Sequence, residues 1–346
     1  MQSTHNWHIQ ATRPIITPRD LTGQLPITPC IAETVILGRQ RVQDILDKKN
    51  RRLLVIAGPC SIHDPLAAIA YARHLAPIRD EFADRMEIIM RVYFEKPRTV
   101  LGWKGLINDP HLNGSNDIET GLKIARRLLL DIVGIGMPVA TEFLDPITPQ
   151  FIADLVSWAA VGARTTESQT HREMASGLSM PVGFKNGTDG SIETAANAIS
   201  AARSSHSFLG IDPDGRTAII QSTGNKWCHA VLRGGKHGPN YSIANVDEAV
   251  ATLRAARVPE ELIVDCSHGN CGKKHALQEL VWKSVVAQRK TGPVVVGAML
   301  ESNLHEGNQP LLADPKRLRY GQSITDACLG WADTERLLRE GYEALG

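Results

Sequence analysis

The chain has 346 residues, with 38 Lys and Arg against 37 Asp and Glu, so its formal charge is +1. This balance argues against nucleic acid or a membrane surface as the main partner, because both attract an excess of positive charge. Aromatic residues make up only 5% of the chain, which disfavours a platform for stacking single-stranded bases, and the 42% apolar content is typical of a globular protein.

Residues 1–50 are predicted to form an N-terminal arm and a helix. Four prolines interrupt residues 1–29, which indicates an extended segment, and helical spacing follows over residues 31–49. The start of the chain shows no pattern of a secretory signal, and the six cysteines include no CxxC pair. We therefore expect a cytoplasmic protein with reduced thiols.

Residues 51–346 alternate short apolar runs with amphipathic segments, eight of each. Continuous apolar strands separated by helices indicate a parallel sheet buried on both faces, and eight repeats predict an α/β fold, a (β/α)₈ TIM barrel. A doubly wound open sheet is the alternative, but no nucleotide-binding glycine pattern follows the first strand. The predicted strands span residues 53–57, 88–93, 138–142, 160–164, 182–185, 229–232, 262–265 and 294–299. The predicted helices span residues 65–83, 117–133, 149–158, 168–177, 191–203, 246–257, 275–290 and 332–345.

Residues 206–224 depart from this repeat. Two short strand-like pieces flank the turn sequence Asp212-Pro213-Asp214-Gly215, a pattern typical of a β-hairpin. The hairpin is predicted to be an insertion before barrel strand 6.

Nearly every predicted strand ends in a polar residue that is costly to bury. In a closed barrel these ends meet at one mouth. A single Arg or Lys there is most simply a solvated surface group, but six of them in one cleft require bound anions. We therefore predict a site for two or more phosphate or carboxylate groups. The six cations are Arg91, Lys96, Arg98, Arg164, Lys185 and Arg233, and other strand-end residues are Cys60, Glu142, Asp265, His268 and Glu301.

A second group of residues suits a metal ion. Cys60, His268, Glu301 and Asp326 offer a thiolate, an imidazole and two carboxylates, a mixed set that suits one divalent transition-metal ion such as Mn²⁺, Fe²⁺, Co²⁺ or Zn²⁺. From spacing alone, Cys60 could equally be a buried thiol and His268 a base. A Ser-His-Asp hydrolase is disfavoured because the chain contains no GxSxG.

With these residues assembled, the sequence resembles the class I, microbial-type 3-deoxy-D-arabino-heptulosonate 7-phosphate (DAHP) synthases, which open the shikimate pathway. The resemblance extends from about residue 12 to the C-terminus. The matching segments are AGPCSIHD at 57–64, MRVYFEKPRTVLGWKGLINDP at 90–110, ATEFLDP at 140–146, VGARTTESQTHREMASGLSMPVGFKNGTDG at 161–190, HAVLRGGK at 229–236, DCSHGN at 265–270, ESNLHEGNQ at 301–309 and YGQSITDACLGW at 320–331.

The resemblance implies a metal-dependent condensation of phosphoenolpyruvate with erythrose 4-phosphate that gives DAHP and phosphate. It assigns the metal to the four residues named above and the tetrose phosphate to the loop Lys96-Pro97-Arg98-Thr99. For catalysis, we expect Glu142 to orient or deprotonate the attacking water and Lys96 to protonate the nascent alkoxide, with His268 as a rival for that proton. The positions that match the phosphoenolpyruvate site are Arg91, Lys96, Arg164, Lys185 and Arg233, with backbone amides near Gly162 and Ala163.

The resemblance also implies feedback inhibition by an aromatic amino acid, in a cavity built partly from the hairpin and the N-terminal arm. Glycine at position 210, together with Pro146, favours tyrosine over phenylalanine by leaving room for a phenol hydroxyl. Similar proteins are dimers or tetramers, and the arm suggests contact with a neighbour. The candidate effector residues are Phe143, Asp145, Gln150, Ser179, Phe208 and Gly210.

Two other functions stay open from the sequence. One is the related synthase that uses arabinose 5-phosphate, although we expect that enzyme to lack the KPRT segment. The other is a catalytically silent barrel that senses an aromatic amino acid, which would have no reason to keep the cations and the metal ligands.

Overall fold

Eight parallel strands close into a barrel in a computed structural model that describes residues 4–98 and 101–346. All residues of the eight barrel strands are buried, as continuous apolar runs require. The predicted (β/α)₈ barrel is therefore confirmed. Around the barrel the strand order is β1-β10-β9-β8-β5-β4-β3-β2. The strands are β1 (Leu53–Gly58), β2 (Met86–Arg91), β3 (Val139–Glu142), β4 (Trp158–Val161), β5 (Val182–Lys185), β6 (Ser207–Ile211), β7 (Thr217–Gln221), β8 (Cys228–Leu232), β9 (Leu262–Asp265) and β10 (Val295–Glu301).

Helices cover the outside of the barrel. Several begin at residues whose side chains cap the first turn, as Asp64 does for α3 by accepting from the N–H groups of Leu66 and Ala67. None of the helices within the described residues is long and apolar enough to cross a bilayer. The helices are α1 (Pro18–Gln24), α2 (Pro29–Leu46), α3 (Pro65–Glu81), α4 (Ile118–Gly134), α5 (Pro149–Ile152), α6 (Gln169–Gly177), α7 (Glu193–Ala202), α8 (Ile243–Ala255), α9 (Gln278–Thr291) and α10 (Trp331–Leu345).

Two local predictions are wrong. The segment 1–29 is not wholly extended, because the Thr17 side chain caps Asp20 N–H and Pro18 starts α1. The predicted helix over 149–158 ends as α5 at Ile152 and is followed by a 3₁₀ turn, so β4 begins at Trp158 rather than at residue 160. Apolar periodicity cannot separate a short buried strand from a buried helical turn. Arg164 consequently lies in the loop after β4.

The end of α2 closes the barrel at the N-terminal ends of its strands. Val42, Ile45 and Leu46 belong to the same apolar cluster as Leu54 and other residues of the barrel interior. Leu46 also borders a small cavity lined by the first residues of β8. The opposite end of the barrel, where the strands terminate, is open.

The predicted hairpin is confirmed as β6 and β7, an antiparallel pair outside the barrel that precedes barrel strand 6, here β8. The N-terminal arm contacts its turn, because Arg19 N–H donates to Pro213 O at 2.8 Å and the Arg19 side chain pairs with Asp214. Ile16 N–H reaches Glu119 on α4 at 3.3 Å. The arm thus joins the hairpin to the helical shell.

Candidate active site

The C-terminal ends of the barrel strands surround a cavity of about 550 Å³. All six cations predicted from the strand ends line it, so the structure brings them together as the barrel geometry requires. Thr99 lies outside the described residues. The cavity is also lined by Pro97, Glu142, Gly162, Ala163, His268 and Asp326, and by residues to which the sequence analysis gave no role, including Thr188, Lys236, Lys273 and Thr325.

Arg91, the last residue of β2, is the most constrained of these cations, with 1% of its surface exposed. Its guanidinium donates to Glu301 Oε1 at 3.0 Å, to Cys60 O at 3.2 Å and to Pro59 O at 3.1 Å. These contacts fix the direction of the guanidinium plane before any ligand arrives. Its Nη1 also lies 3.0 Å from the Met299 sulfur, so four of the five N–H groups are engaged, and Arg91 offers an anion one remaining hydrogen bond together with a fixed positive charge.

Glu142 and Lys185 form a buried ion pair at the ends of β3 and β5, with Lys185 Nζ 3.0 Å from Glu142 Oε2. Burial by itself raises the pKa of Glu142, but Lys185, Lys96 and Arg91 together hold it below the ordinary value. Glu142 is therefore a carboxylate that can accept a proton. A Cβ at Gly162 would lie only 2.6 Å from Glu142 Oε1, so glycine there lets the carboxylate approach the backbone.

Lys96 points from the loop after β2 toward Cys60, whose carbonyl oxygen accepts from its Nζ at 2.8 Å. Burial lowers the pKa of Lys96, but the neighbouring Cys60 and Glu301 raise it by more, so the pKa lies above the ordinary value. Lys96 is therefore an ammonium group, which can donate a proton to a stronger base formed in the cavity.

Three of the four predicted metal ligands form a compact group. The ligand atoms of Cys60, Glu301 and Asp326 lie within 4.8 Å of one another. His268 is outside this group, but its Nε2 is 3.8 Å from Glu301 Oε1. A thiol, an imidazole and two carboxylates at one place fit a divalent transition metal. Burial raises the pKa of the Cys60 thiol, and a bound cation would reverse that shift by favouring the thiolate.

Asp265 holds the imidazole of His268, a role that the sequence did not assign. Its Oδ2 lies 2.9 Å from His268 Nδ1, and its Oδ1 accepts from the N–H and Oγ–H of Ser267. The Ser267 hydroxyl in turn lies 2.7 Å from His268 Nδ1 and accepts from it, so Asp265 holds the imidazole partly through Ser267. His268 itself has a φ of 56°, in the left-handed region that a residue with a side chain rarely adopts. Asp265 and Ser267 together therefore hold His268 with its Nε2 on the side of the metal group. The sequence signal was the position of Asp265 at the end of a strand.

Asn186 and Asn240 position the loop that carries Arg233. The Asn186 side chain accepts from Arg233 N–H at 2.8 Å and donates to Gly234 O at 3.0 Å. Asn240 accepts from Gly234 N–H at 2.7 Å and donates to Asn186 at 3.1 Å. These two side chains contact backbone rather than the cavity, so no motif of charge or spacing could identify them from sequence.

The candidate effector residues come from three stretches of the chain, at positions 143–150, at position 179 just after α6 and at positions 208–210 on β6. Phe143 is fully buried, whereas Phe208 and Gly210 are half-buried on β6 and Asp145, Gln150 and Ser179 are exposed. Helix α6 lies between the first of these stretches and the β6–β7 hairpin. His171 Nε2 on this helix donates to Leu144 O at 2.6 Å, and Ser176 contacts Ser222 beside β7.

The space beside Gly210 differs from the sequence-based expectation. A Cβ at Gly210 would lie 2.8 Å from Ile220 Cγ1, across the β6–β7 pair. The Ile220 side chain therefore occupies part of the space beside Gly210 that was expected to accommodate a phenol hydroxyl.

Glu95 connects the candidate effector segment to the active site. Its carboxylate is 5% exposed and accepts from Leu144 N–H at 3.3 Å, Asp145 N–H at 3.2 Å and the Thr148 hydroxyl at 3.4 Å. Burial raises the pKa of Glu95 to about 8, against the lowering effect of the Leu144 amide. The residue directly after it is Lys96, so one short stretch of chain contacts both sites.

A parallel barrel whose mouth gathers cations beside a thiol–carboxylate group has the architecture of an enzyme for anionic substrates. The model of the DAHP synthetase I family matches residues 31–339. The chain belongs to the DAHP synthetase I family, and its enzyme class is that of the DAHP synthases.

Individual proteins support this assignment. The Tyr-sensitive phospho-2-dehydro-3-deoxyheptonate aldolase of Escherichia coli (strain K12) is 52% identical over 342 residues, which are 99% of this chain and 96% of that protein. The Trp-sensitive one of Enterobacter agglomerans is 54% identical over 332 residues, covering 96% and 95%. A solved structure of phospho-2-dehydro-3-deoxyheptonate aldolase from Francisella tularensis SCHU S4 superimposes with a TM-score of 0.95, at 45% identity, and covers 97% of this chain and 98% of that chain.

Proposed function

We propose that the mouth cavity condenses phosphoenolpyruvate with erythrose 4-phosphate to DAHP and inorganic phosphate. The observation that carries this proposal is the meeting of six predicted cations and the candidate metal ligand Asp326 on one cavity of about 550 Å³. Each phosphate monoester carries a charge of about −2, so two of them repel each other unless cations lie between them. The eight Arg and Lys side chains that line the cavity supply that compensation.

The carboxylate and phosphate of phosphoenolpyruvate bind in this proposal to Arg91, Lys96, Arg164, Lys185 and Arg233, with the backbone at Gly162 and Ala163 beside them. Lys96, Pro97, Arg98 and Thr99 take the phosphate of the tetrose. These residues hold the enol carbon C3 next to the aldehyde carbon C1. The two substrates then react within one complex, which lowers the entropic cost of bringing them together from solution.

The carbon–carbon bond forms when C3 attacks C1 and the aldehyde oxygen becomes an alkoxide. Lys96 donates a proton to this oxygen, and His268 remains the rival donor. A divalent transition-metal ion bound by Cys60, His268, Glu301 and Asp326 would supply a Lewis acid for the aldehyde.

Water then adds at C2, and Glu142 orients it or takes its proton. The low pKa of Glu142 keeps it ionised for this task. The bond between C2 and the bridging oxygen breaks last. Phosphate leaves with that oxygen, while the C2 hydroxyl loses its proton and becomes the C2 ketone of DAHP, whose oxygen comes from the water.

An assay with phosphoenolpyruvate and each aldose phosphate tests the proposal. We expect the protein to release phosphate with erythrose 4-phosphate and little with arabinose 5-phosphate. An Arg164→Ala variant should lose most of the phosphate release seen with erythrose 4-phosphate. Lys290→Ala, on α9 away from the cavity, serves as the matched control. Turnover with the pentose phosphate alone would assign the related synthase. Metal-loaded protein that binds tyrosine but releases no phosphate with either aldose would instead be the silent sensor.

We also propose feedback inhibition by an aromatic amino acid, with tyrosine as the favoured effector. The proposed effector site comprises Phe143, Asp145, Gln150, Ser179, Phe208 and Gly210. Identities of 52% to a Tyr-sensitive relative and 54% to a Trp-sensitive one do not separate these effectors.

A dimer or tetramer is proposed from the N-terminal arm. A cytoplasmic location is supported by six unpaired cysteines, all within the described ranges.

Gly210→Ser tests the effector site. A serine side chain displaces Ile220 and narrows the space beside β6, so tyrosine inhibition should weaken about tenfold while turnover without tyrosine changes less than about twofold. Steady-state rates with tyrosine, phenylalanine and tryptophan added separately provide the measurement. Leu209→Ser, at the exposed neighbouring position, is the control. Inhibition unchanged in the Gly210 variant would remove this residue from the effector site.

A further inference from the structure

Three cations of the mouth cavity lie against one aromatic ring. Arg91 Cζ is 3.6 Å from the centroid of the Tyr93 ring, and Lys185 Nζ and Lys96 Nζ are 5.6 and 6.0 Å from it. These distances fall within the range of cation–π attraction, which is strongest when both groups are desolvated. Tyr93 is 1% exposed, so water does not screen these contacts.

The ring of Tyr93, rather than its hydroxyl, makes these contacts. The hydroxyl lies 3.9 Å from the thioether sulfur of Met299, a weak acceptor. Burial raises the pKa of Tyr93 above its ordinary value, which keeps the phenol neutral. The cations therefore face an uncharged π surface.

Among the described residues, no other hydrogen-bond or ion-pair partner is common to all three cations, although Arg91 and Lys96 both donate to the Cys60 carbonyl. Arg91 pairs with Glu301, Lys185 pairs with Glu142, and Lys96 donates to the Cys60 carbonyl. The Tyr93 ring is common to all three. A carboxylate in its place would compete with the substrate for the cations, whereas a neutral ring attracts them and leaves their charge available to an anion.

We propose that Tyr93 is a positioning residue whose ring holds Arg91, and with it Lys96 and Lys185, in the arrangement that receives phosphoenolpyruvate. This inference rests on the proposed function, in which these cations bind that substrate. Tyr93 acts through the cations, and it lowers the cost of binding because the three side chains are ordered before the substrate arrives.

Two substitutions separate the ring from the hydroxyl. Tyr93→Phe keeps the ring and Tyr93→Leu removes it. We expect affinity for phosphoenolpyruvate, measured by calorimetry without aldose, to fall about tenfold in the Leu variant and less than about twofold in the Phe variant. The KM for phosphoenolpyruvate should rise with the same pattern while kcat changes less. Phe82→Leu, which removes another buried ring from the end of α3, should leave this affinity unchanged.

Folding is monitored by circular dichroism. If the Leu variant does not fold, phenylalanine analogues with one, two or three ring fluorines at position 93 keep the shape and weaken the π face, so affinity should fall stepwise. The proposal is wrong if the folded Leu variant binds phosphoenolpyruvate like wild type, if Phe loses as much as Leu, or if fluorination has no effect. Wild-type protein that binds no phosphoenolpyruvate would instead contradict the proposed function.

Discussion

The two ends of the barrel bury charged side chains to different extents. At the mouth, Arg91, Lys185 and Glu301 are each less than 5% exposed and all carry charge. At the closed end, most buried side chains are apolar. The Trp158–His229 contact there is uncharged, because Trp158 Nε1 donates to His229 Nε2 at 3.1 Å and burial lowers the pKa of His229 to about 4. The buried carboxylate of Glu87 pairs with Arg52 at 2.7 Å. Removing charges from water costs free energy even when they are paired, so the mouth, which holds the larger cluster of them, costs stability, and the apolar cluster at the closed end supplies it.

Cys60→Ala should have the largest effect of the changes considered and acts at the mouth. Removing the thiolate takes away one metal ligand, so activity should fall at least about 100-fold while the fold is kept. Turnover and bound metal are measured together on the purified variant. Cys228→Ala, a buried thiol near the closed end, should keep both. Full activity of the Cys60 variant without added metal would contradict the assignment.

Ile45→Ala tests the closed end. Ile45 is 0% exposed in the cluster that seals the barrel, so the free energy of unfolding should decrease by about 2–5 kcal/mol. Urea unfolding measures this change, and kcat of the folded enzyme should stay near wild type. Ile36→Ala on the exposed face of the same helix should cost much less. A large loss of kcat in folded Ile45→Ala enzyme would mean that the two ends are not independent.

Asp265→Asn probes the support of the metal group. An amide of the same shape no longer favours the tautomer and orientation of His268 that point Nε2 toward Glu301, so metal affinity should weaken about 10–100-fold. Competition with a coloured chelator measures that affinity without turnover. Asp131→Asn on the exposed face of α4 is the matched control. Equal affinity in the two variants would show that Asp265 does not orient the ligand.

Glu95→Gln should have a smaller, pH-dependent effect. Glu95 lies near the mouth, but its hydrogen-bond donors among the described residues are neutral. Its pKa of about 8 in the folded protein exceeds the ordinary 4.5, so the native state binds more protons than the unfolded chain between these values. Its contribution to stability is therefore present below about pH 4.5 and is lost as the pH rises to about 8.

The measurement is the free energy of unfolding of wild type and Glu95→Gln at several pH values. The difference should move in favour of the Gln variant by on the order of 1 kcal/mol per pH unit within that window. Glu119→Gln should show no such trend, because Glu119 is half-buried and its hydrogen bond with Lys123 lowers its pKa below the ordinary value. A constant difference across the window would mean that Glu95 is ionised throughout.

The sequence predicted the barrel because its strands are buried on both faces and therefore read as unbroken apolar runs. The same logic placed the strand-end cations at one mouth, since parallel strands end at one rim. It misplaced the start of β4, where Trp158 follows a helical turn without a break in hydrophobicity. It missed the roles of Asp265 and Asn186, because supporting residues are defined by contacts across neighbouring strands and not by spacing along the chain.

The closing of the barrel has a consequence for how the chain folds during synthesis. Helix α2 and β1 leave the ribosome early, but β1 pairs with β10, whose residues 295–301 come near the end of the chain. The apolar end of α2 therefore cannot pack against the closed barrel until most of the protein has been translated. Such long-range pairing slows folding and leaves apolar surface exposed in the meantime. We therefore expect nascent chains of this enzyme to bind chaperones during synthesis.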